Sequence, residues 1–151
     1  MATPTISPYV TIGGLVFGCA ALRPRGRDAY DDLLGTGGMR GSDQPIPGSR
    51  GVLARSRTRG PVGGLFPVRI YGEWDYTTDA ANSDPVDGAY ETLGLLRDVA
   101  DVEDVQDLVF VRSSGSTTVD CQVEDLVKVG QVRPDVWDYV LEFTLPAGTL
   151  L

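Results

Sequence analysis

A chain of 151 residues is long enough to bury one proper core, and its 42% hydrophobic and 23% charged content is that of an ordinary globular protein. No apolar run reaches the length of a membrane-spanning helix, and the opening Met-Ala-Thr-Pro-Thr lacks the basic region and apolar core of a secretory signal, so the chain is expected to stay in the cytosol of the cell that makes it, with no membrane partner. Its formal net charge is -8 and it contains no histidine, which removes the commonest zinc ligand and general base.

Residues 9–12 and 15–17, split by Gly13-Gly14, read as two short strands joined by a turn, a hairpin at a sheet margin. The run 22–34 allows at most one helical turn, near 29–34, ended by Gly35. Residues 35–64 then hold nine glycines and three prolines, with Met39, Ile46, Val52 and Leu53 as scattered apolar anchors. A connection of this length inside a compact domain is either functional or disordered, and we read it as an extended arm held by neighbouring chains.

Alternation returns over 66–74, with Phe66, Val68, Ile70 and Trp74 on one face; Pro67, lacking an amide proton, places the strand's start or a sheet edge at that residue. Asp84-Pro85 combines a capping aspartate with proline at the first helical position. The stripe Val86, Ala89, Tyr90, Leu93, Leu96 or Arg97, and Ala100 predicts a helix over 85–101 lying on the sheet. Gly88 and Gly94 each cost that helix roughly 1 kcal/mol relative to alanine, so packing must hold it.

Residues 108–112 and 117–124 form strands about the polar turn 113–116, with Val119, Cys121 and Val123 inward and Asp120, Gln122 and Glu124 outward. Residues 126–129 continue the second strand beyond a kink at Glu124-Asp125, and 130–134 make a turn. In 137–145 the residues Trp137, Tyr139, Leu141, Phe143 and Leu145 fall at every second position, with Asp138, Glu142 and Thr144 between them, the pattern of a strand buried on one face and stopped by Pro146. The expected core contains Trp74, Leu108, Phe110, Val119, Val123, Tyr139, Leu141 and Phe143. The order of elements fits a mainly β fold with one α-helix, an antiparallel sandwich or partly closed barrel, as a single domain over 1–151 with the arm at 35–64.

Catalytic constellations fail against plainer readings. Asp101, Glu103, Asp104 and Asp107 lack the alternating ligands and central glycine of a calcium loop and read as a solvated helix end. The glycine doublets do not have phosphate-cradling spacing, and the serines have no histidine to activate them. Cys19 and Cys121 are too few for a structural zinc site and read as small buried apolar residues. Neither an enzyme nor a cofactor is expected.

The charge is unevenly spread. Residues 23–59 hold eight arginines against four aspartates, a surplus of four positive charges, whereas residues 72–151 hold four bases against 17 acids, a surplus of 13 negative ones. Arg55, Arg57 and Arg59 alternate and could follow phosphates, but the segment has no aromatic platforms and the body is acidic, which weighs against a nucleic-acid-binding adaptor. Oppositely charged surfaces on one chain favour head-to-tail contact between copies, which closes into a ring when the rotation permits.

The segment 40–55, Arg-Gly-Ser-Asp-Gln-Pro-Ile-Pro-Gly-Ser-Arg-Gly-Val-Leu-Ala-Arg, followed by Val68-Arg-Ile-Tyr-Gly72 and closed by Leu145-Pro-Ala-Gly148, resembles short tail proteins of actinobacterial siphophages. These are similar to the N-terminal domain of distal tail proteins and, more remotely, to tail-tube subunits. The resemblance implies a virion protein, assembled in the host cytoplasm, whose fold is a β-sandwich or barrel with one helix. It also implies a homohexameric ring around the DNA channel, in contact with other tail proteins, with tube, terminator or connector subunits as alternatives. Within such a ring, Arg40, Pro47, Arg50, Leu53, Arg55, Arg57 and Arg59 are expected at subunit contacts. Asp120, Glu124 and Glu142 are expected to face the lumen, where carboxylates repel passing DNA and leave it unbound.

Overall fold

The computed structural model describes residues 2–35 and 62–146, together with the backbone of four two-residue strands between them. The elements are β1 (Tyr9–Ile12), β2 (Leu15–Phe17), β3 (Leu22–Pro24), β4 (Met39–Arg40), β5 (Gln44–Pro45), β6 (Val52–Leu53), β7 (Thr58–Arg59), β8 (Val62–Tyr71), α1 (Pro85–Ala100), β9 (Gln106–Arg112), β10 (Gly115–Arg133) and β11 (Val136–Leu145). Seven strands form one antiparallel sheet in the order β2-β1-β9-β10-β11-β8-β3. Its bend is carried by the 19-residue β10, which pairs with β9 over 115–121 and with β11 over 122–133. The two outermost strands are consecutive in the chain, and the amides of Gly18 and Cys19 both donate to the Leu22 carbonyl, at 2.9 and 3.1 Å. The sheet is therefore a nearly closed barrel with one helix packed on it, the fold class read from the sequence.

The arm folds back on itself as two successive ladders, β4 with β7 and β5 with β6. It also ends sooner than expected, because Val62, Gly63 and Gly64 already pair with β11.

The inward faces of β11 and β8 supply the centre of the core: Trp137, Tyr139, Leu141, Phe143 and Leu145 stand beside Phe66, Val68 and Ile70 on one sheet face, all buried. Phe66 is wedged edge-on against Phe17 and stacks on Tyr30, with centroids 5.4 and 5.9 Å apart. Cys19 and Cys121 are free and buried, and burial pushes the Cys121 thiol up to about 12. Leu108, Phe110 and Val123 are buried as expected, whereas Trp74 and Val119 are only partly so.

Of four local expectations, two hold and two need correction. Pro67 lies in the middle of β8 and not at its start, but the expected edge is there locally: β3 pairs only with Val68 to Ile70, the Pro67 carbonyl accepts from Arg25 N–H at 2.9 Å, and the missing amide faces the side where β3 runs out, so the β11 ladder loses nothing. Trp74 lies past the strand, in an isolated bridge to Ala81, because the chain bends at Gly72 to pass beneath the helix. Residues 130–133 are strand rather than turn: three register shifts along β10 absorb extra residues, and only Pro134 and Asp135 connect it to β11. Residues 27–34 form successive turns, and the one helical turn allowed near 29–34 is there as Leu34 N–H donating to the Tyr30 carbonyl at 2.9 Å.

The helix starts as read, with Asp84 capping the Asp87 amide and Pro85 in the first turn. Its buried face is rotated, however, to Gly88, Ala89, Thr92, Leu93, Leu96 and Val99, leaving Val86 and Tyr90 exposed. Gly88 and Gly72 let the two backbones approach, since a Cβ on either would overlap the other segment. Tyr90 still contributes from outside, edge-on to Trp137 with centroids 4.8 Å apart. Among the described residues, no helix is long and apolar enough to cross a membrane.

Candidate functional site

The core face of β11 and β8 is buried, so a contact with another molecule on these strands must use the opposite face or the sheet edges. Strand alternation and register fix what stands on that opposite face. One row runs Gly130, Asp138, Arg69, Arg23; the next Val127, Val140, Pro67; the third Asp125, Glu142, Leu65; the fourth Gln122, Thr144, Gly63. Cationic residues thus gather at the β3 end of the face and acidic ones near the β10 edge.

At the cationic end two guanidinium groups, those of Arg69 and Arg25, approach one carboxylate, that of Asp138, with Arg23 standing next to Arg69 in the register. Arg69 grips Asp138 through both oxygens, Nε to Oδ1 at 2.6 Å and Nη2 to Oδ2 at 3.1 Å. The Arg69 hydrogen bond holds the Asp138 carboxyl below the usual carboxylate range, and the same bond raises Arg69 above its ordinary value. Asp138 is only 7% exposed, so period-2 alternation placed it on the right face but in the wrong environment: the paired arginine, not water, solvates it. Arg23 donates to the Ala20 carbonyl at 3.2 Å and lies 4.1 Å over the Tyr71 ring. Arg25 brings its Nε to 4.0 Å from Asp138 Oδ1, outside hydrogen-bond reach, and that atom is buried without a partner.

At the acidic end like charges stand directly opposite each other, Asp125 across from Glu142 and, further along the same face, Asp120 across from Asp107. Such cross-strand pairs destabilise a sheet, so this sequence carries an acidic face at a cost to the isolated fold. Glu124 is the extra residue of a bulge, and its carboxylate accepts from Thr144 Oγ1 at 2.6 Å. A shallow polar cleft beside it is lined by Arg97, Asp101 and Asp125.

Asp120, Glu124 and Glu142 are therefore all exposed and share the face turned away from the core. Of the residues expected at subunit contacts, Arg40, Leu53 and Arg59 lie on β4, β6 and β7, with their side chains outside the described residues, as are Pro47, Arg50, Arg55 and Arg57 altogether. Sequence reading missed the cluster of Arg23, Arg25, Arg69 and Asp138. The only signal was an arginine and an aspartate each set between buried neighbours on two strands, and it becomes informative only once those strands are known to be adjacent in register. Among the described residues no group of three or more His, Cys, Asp or Glu side chains is placed to hold a metal ion.

No protein-family model matches the chain, and no curated protein matches it in sequence. Among solved structures it is similar to the SPP1 Dit (gp 19.1) protein, a paradigm of the hub adsorption apparatus in phages that infect Gram-positive bacteria, with a TM-score of 0.52 and 12% identity. The match covers 91% of this chain and 49% of that one, so the chain spans about half the length of SPP1 Dit. At this identity the likeness is one of fold: an antiparallel, mainly β barrel with a single helix is shared with a phage distal-tail hub protein.

Proposed function

We propose that this chain is a structural subunit of a phage tail, assembling as a homohexameric ring of the distal-tail type around the DNA channel. The observation that carries the reading is the fold shared with SPP1 Dit over nearly the whole chain. The acidic face gives it a physical rationale. DNA is a dense row of phosphates, and a wall of carboxylates keeps it mobile where arginines would hold it. Asp120, Glu124 and Glu142 are then lumen-facing, and the arm, with Arg40, Pro47, Arg50, Leu53, Arg55, Arg57 and Arg59, clasps the neighbouring subunit. The role is scaffolding within the virion and needs no cofactor; its partners are further copies of the chain, adjoining tail proteins and DNA that passes without specific binding.

Native mass spectrometry and light scattering of the purified protein test the ring, with a species of six times 16.2 kDa expected. Gold labelling of particles with an antibody to the chain tests the place, with label expected at the tail end distal to the capsid. A chain that stays monomeric at every concentration reached, and that is absent from purified particles, ends this reading; label along the tube or at the head junction moves the subunit to another axial position.

A further inference from the structure

The cationic corner of the β3 edge has more arginine than it uses. The charge of Asp138 is matched by Arg69, Arg23 is held by Ala20 and Tyr71, and Arg25 brings a second guanidinium to an already neutralised carboxylate. Its Nε is the one buried side-chain polar atom among the described residues without a hydrogen bond, while the side chain as a whole remains 36% exposed. A desolvated cationic donor left unmatched is costly, and structures seldom retain one without a partner to supply.

At the other edge of the same half-sheet the imbalance is reversed. Over 122–133, β10 pairs only with β11, so its outer edge carries no strand. Three register shifts there and the exposed Lys128 blunt it against a continuous backbone ladder, which leaves side chains as the means of contact. Asp125 stands on this edge, exposed, with Glu124 beside it in the chain and Glu142 across from it. Its Oδ1 accepts from Leu126 N–H at 2.8 Å, and the residue lines the polar cleft shared with Arg97 and Asp101.

We infer that Arg25 is one half of a head-to-tail contact whose other half is Asp125 on a second copy of this chain, the β3 edge of one subunit meeting the β10 edge of the next. The inference rests on the ring reading above and deepens it by naming the contact. One contact acts at both edges: a carboxylate supplied from outside pairs with the exposed part of the Arg25 side chain, and the arginine offsets the repulsion between Asp125 and Glu142. A contact between two different patches repeats from copy to copy and closes into a ring when the rotation permits, as a self-complementary patch does not. It also leaves the rest of the face acidic, because the arginines on it are then neutralised by Asp138 and by the neighbour.

The test is a charge-swap series read by native mass spectrometry at low salt, with thermal melting to verify the fold of each variant. Arg25→Glu and Asp125→Arg are each expected to weaken assembly at least tenfold, and the double variant R25E/D125R to restore it. If Arg25→Glu disturbs the fold beside Asp138, Asp125→Arg alone decides the point, since Asp125 is exposed next to the Glu124 bulge. Folded single variants that assemble like the unaltered chain overturn the contact while leaving the ring intact. A double variant that stays apart when both singles are folded overturns the Arg25–Asp125 pairing. An unaltered chain that never assembles overturns the ring reading itself, and the contact with it.

Discussion

Arg69 and Asp138 are exact cross-strand partners on β8 and β11, and their two hydrogen bonds put a charged pair on the non-core face of the barrel, where Asp138 is almost completely enclosed. Asp138→Asn is expected to cost roughly 2 kcal/mol at neutral pH, less than a fully buried pair because Arg69 is 30% exposed. The pH dependence has a definite sign. The folded pKa is depressed, so the stabilisation is complete above the ordinary carboxylate pKa of about 4 and is lost as pH falls through the lower folded value. Urea unfolding of the two proteins from pH 7 downward should show curves that converge in acid; a constant gap down to pH 2 would falsify the pairing as its source.

The two helix glycines should respond with opposite sign to the same change. A Cβ at Gly94 meets nothing within 4 Å, so Gly94→Ala is expected to raise stability by up to about 1 kcal/mol through helix propensity alone. At Gly88 a Cβ overlaps the Gly72 carbonyl and the Asn82 side chain, so Gly88→Ala is expected to lower stability in spite of the same propensity gain. Denaturant midpoints of the two variants decide this, and equal shifts would mean that the helix does not cross the strand end as closely as described.

Leu141 is fully buried at the centre of β11, and Leu65 is 51% exposed on the opposite face of β8. Truncation of Leu141 to alanine should cost about 2 to 5 kcal/mol, and the same truncation at Leu65 less than about 0.5. Chemical denaturation of both variants checks the inside-out assignment of the whole half-sheet, because a one-residue slip in register would exchange the two results.

The acidic face should be a liability to the free subunit. Replacing Asp120 or Glu142 by its amide removes one of two directly opposed carboxylates and is expected to stabilise the isolated chain by roughly 0.2 to 1 kcal/mol. Added salt should stabilise the unaltered protein and shrink that difference, since screening acts on exposed charges. Melting temperatures at two ionic strengths are sufficient; variants less stable than the parent at low salt would show that these carboxylates are satisfied locally instead of repelling.

The strands that bury one face were legible because a period of two survives in the sequence, as in Trp137 to Leu145 and in Phe66, Val68 and Ile70. The Asp84-Pro85 helix start was legible because capping is local chemistry. What stayed hidden depends on which strand lies beside which. β3 has only three residues and no alternation of its own, and exists because β8 offers it a ladder. The rotated face of α1 follows from Gly72 passing beneath Gly88, and the run of β10 through Gly130 depends on bulges that no propensity encodes. The acids of the candidate site were found because alternation points Asp120 and Glu142 outward. The arginine cluster was not, because Arg25, Arg69 and Asp138 come from three separate parts of the chain and meet only in the finished sheet.

The strand order also sets the sequence of events during synthesis. β9, β10 and β11 form a meander of neighbours in the chain and can pair as soon as they are made. β1 waits for β9 and β8 waits for β11, so the first 71 residues leave the ribosome with two incomplete strands whose partners lie about 70 to 100 residues downstream. Such non-local pairings are slow, and an unpaired strand is adhesive while it waits. Until Leu145 has been translated β8 is one ladder short, so the nascent chain passes through a stage in which it is exposed to mispairing with other copies of itself.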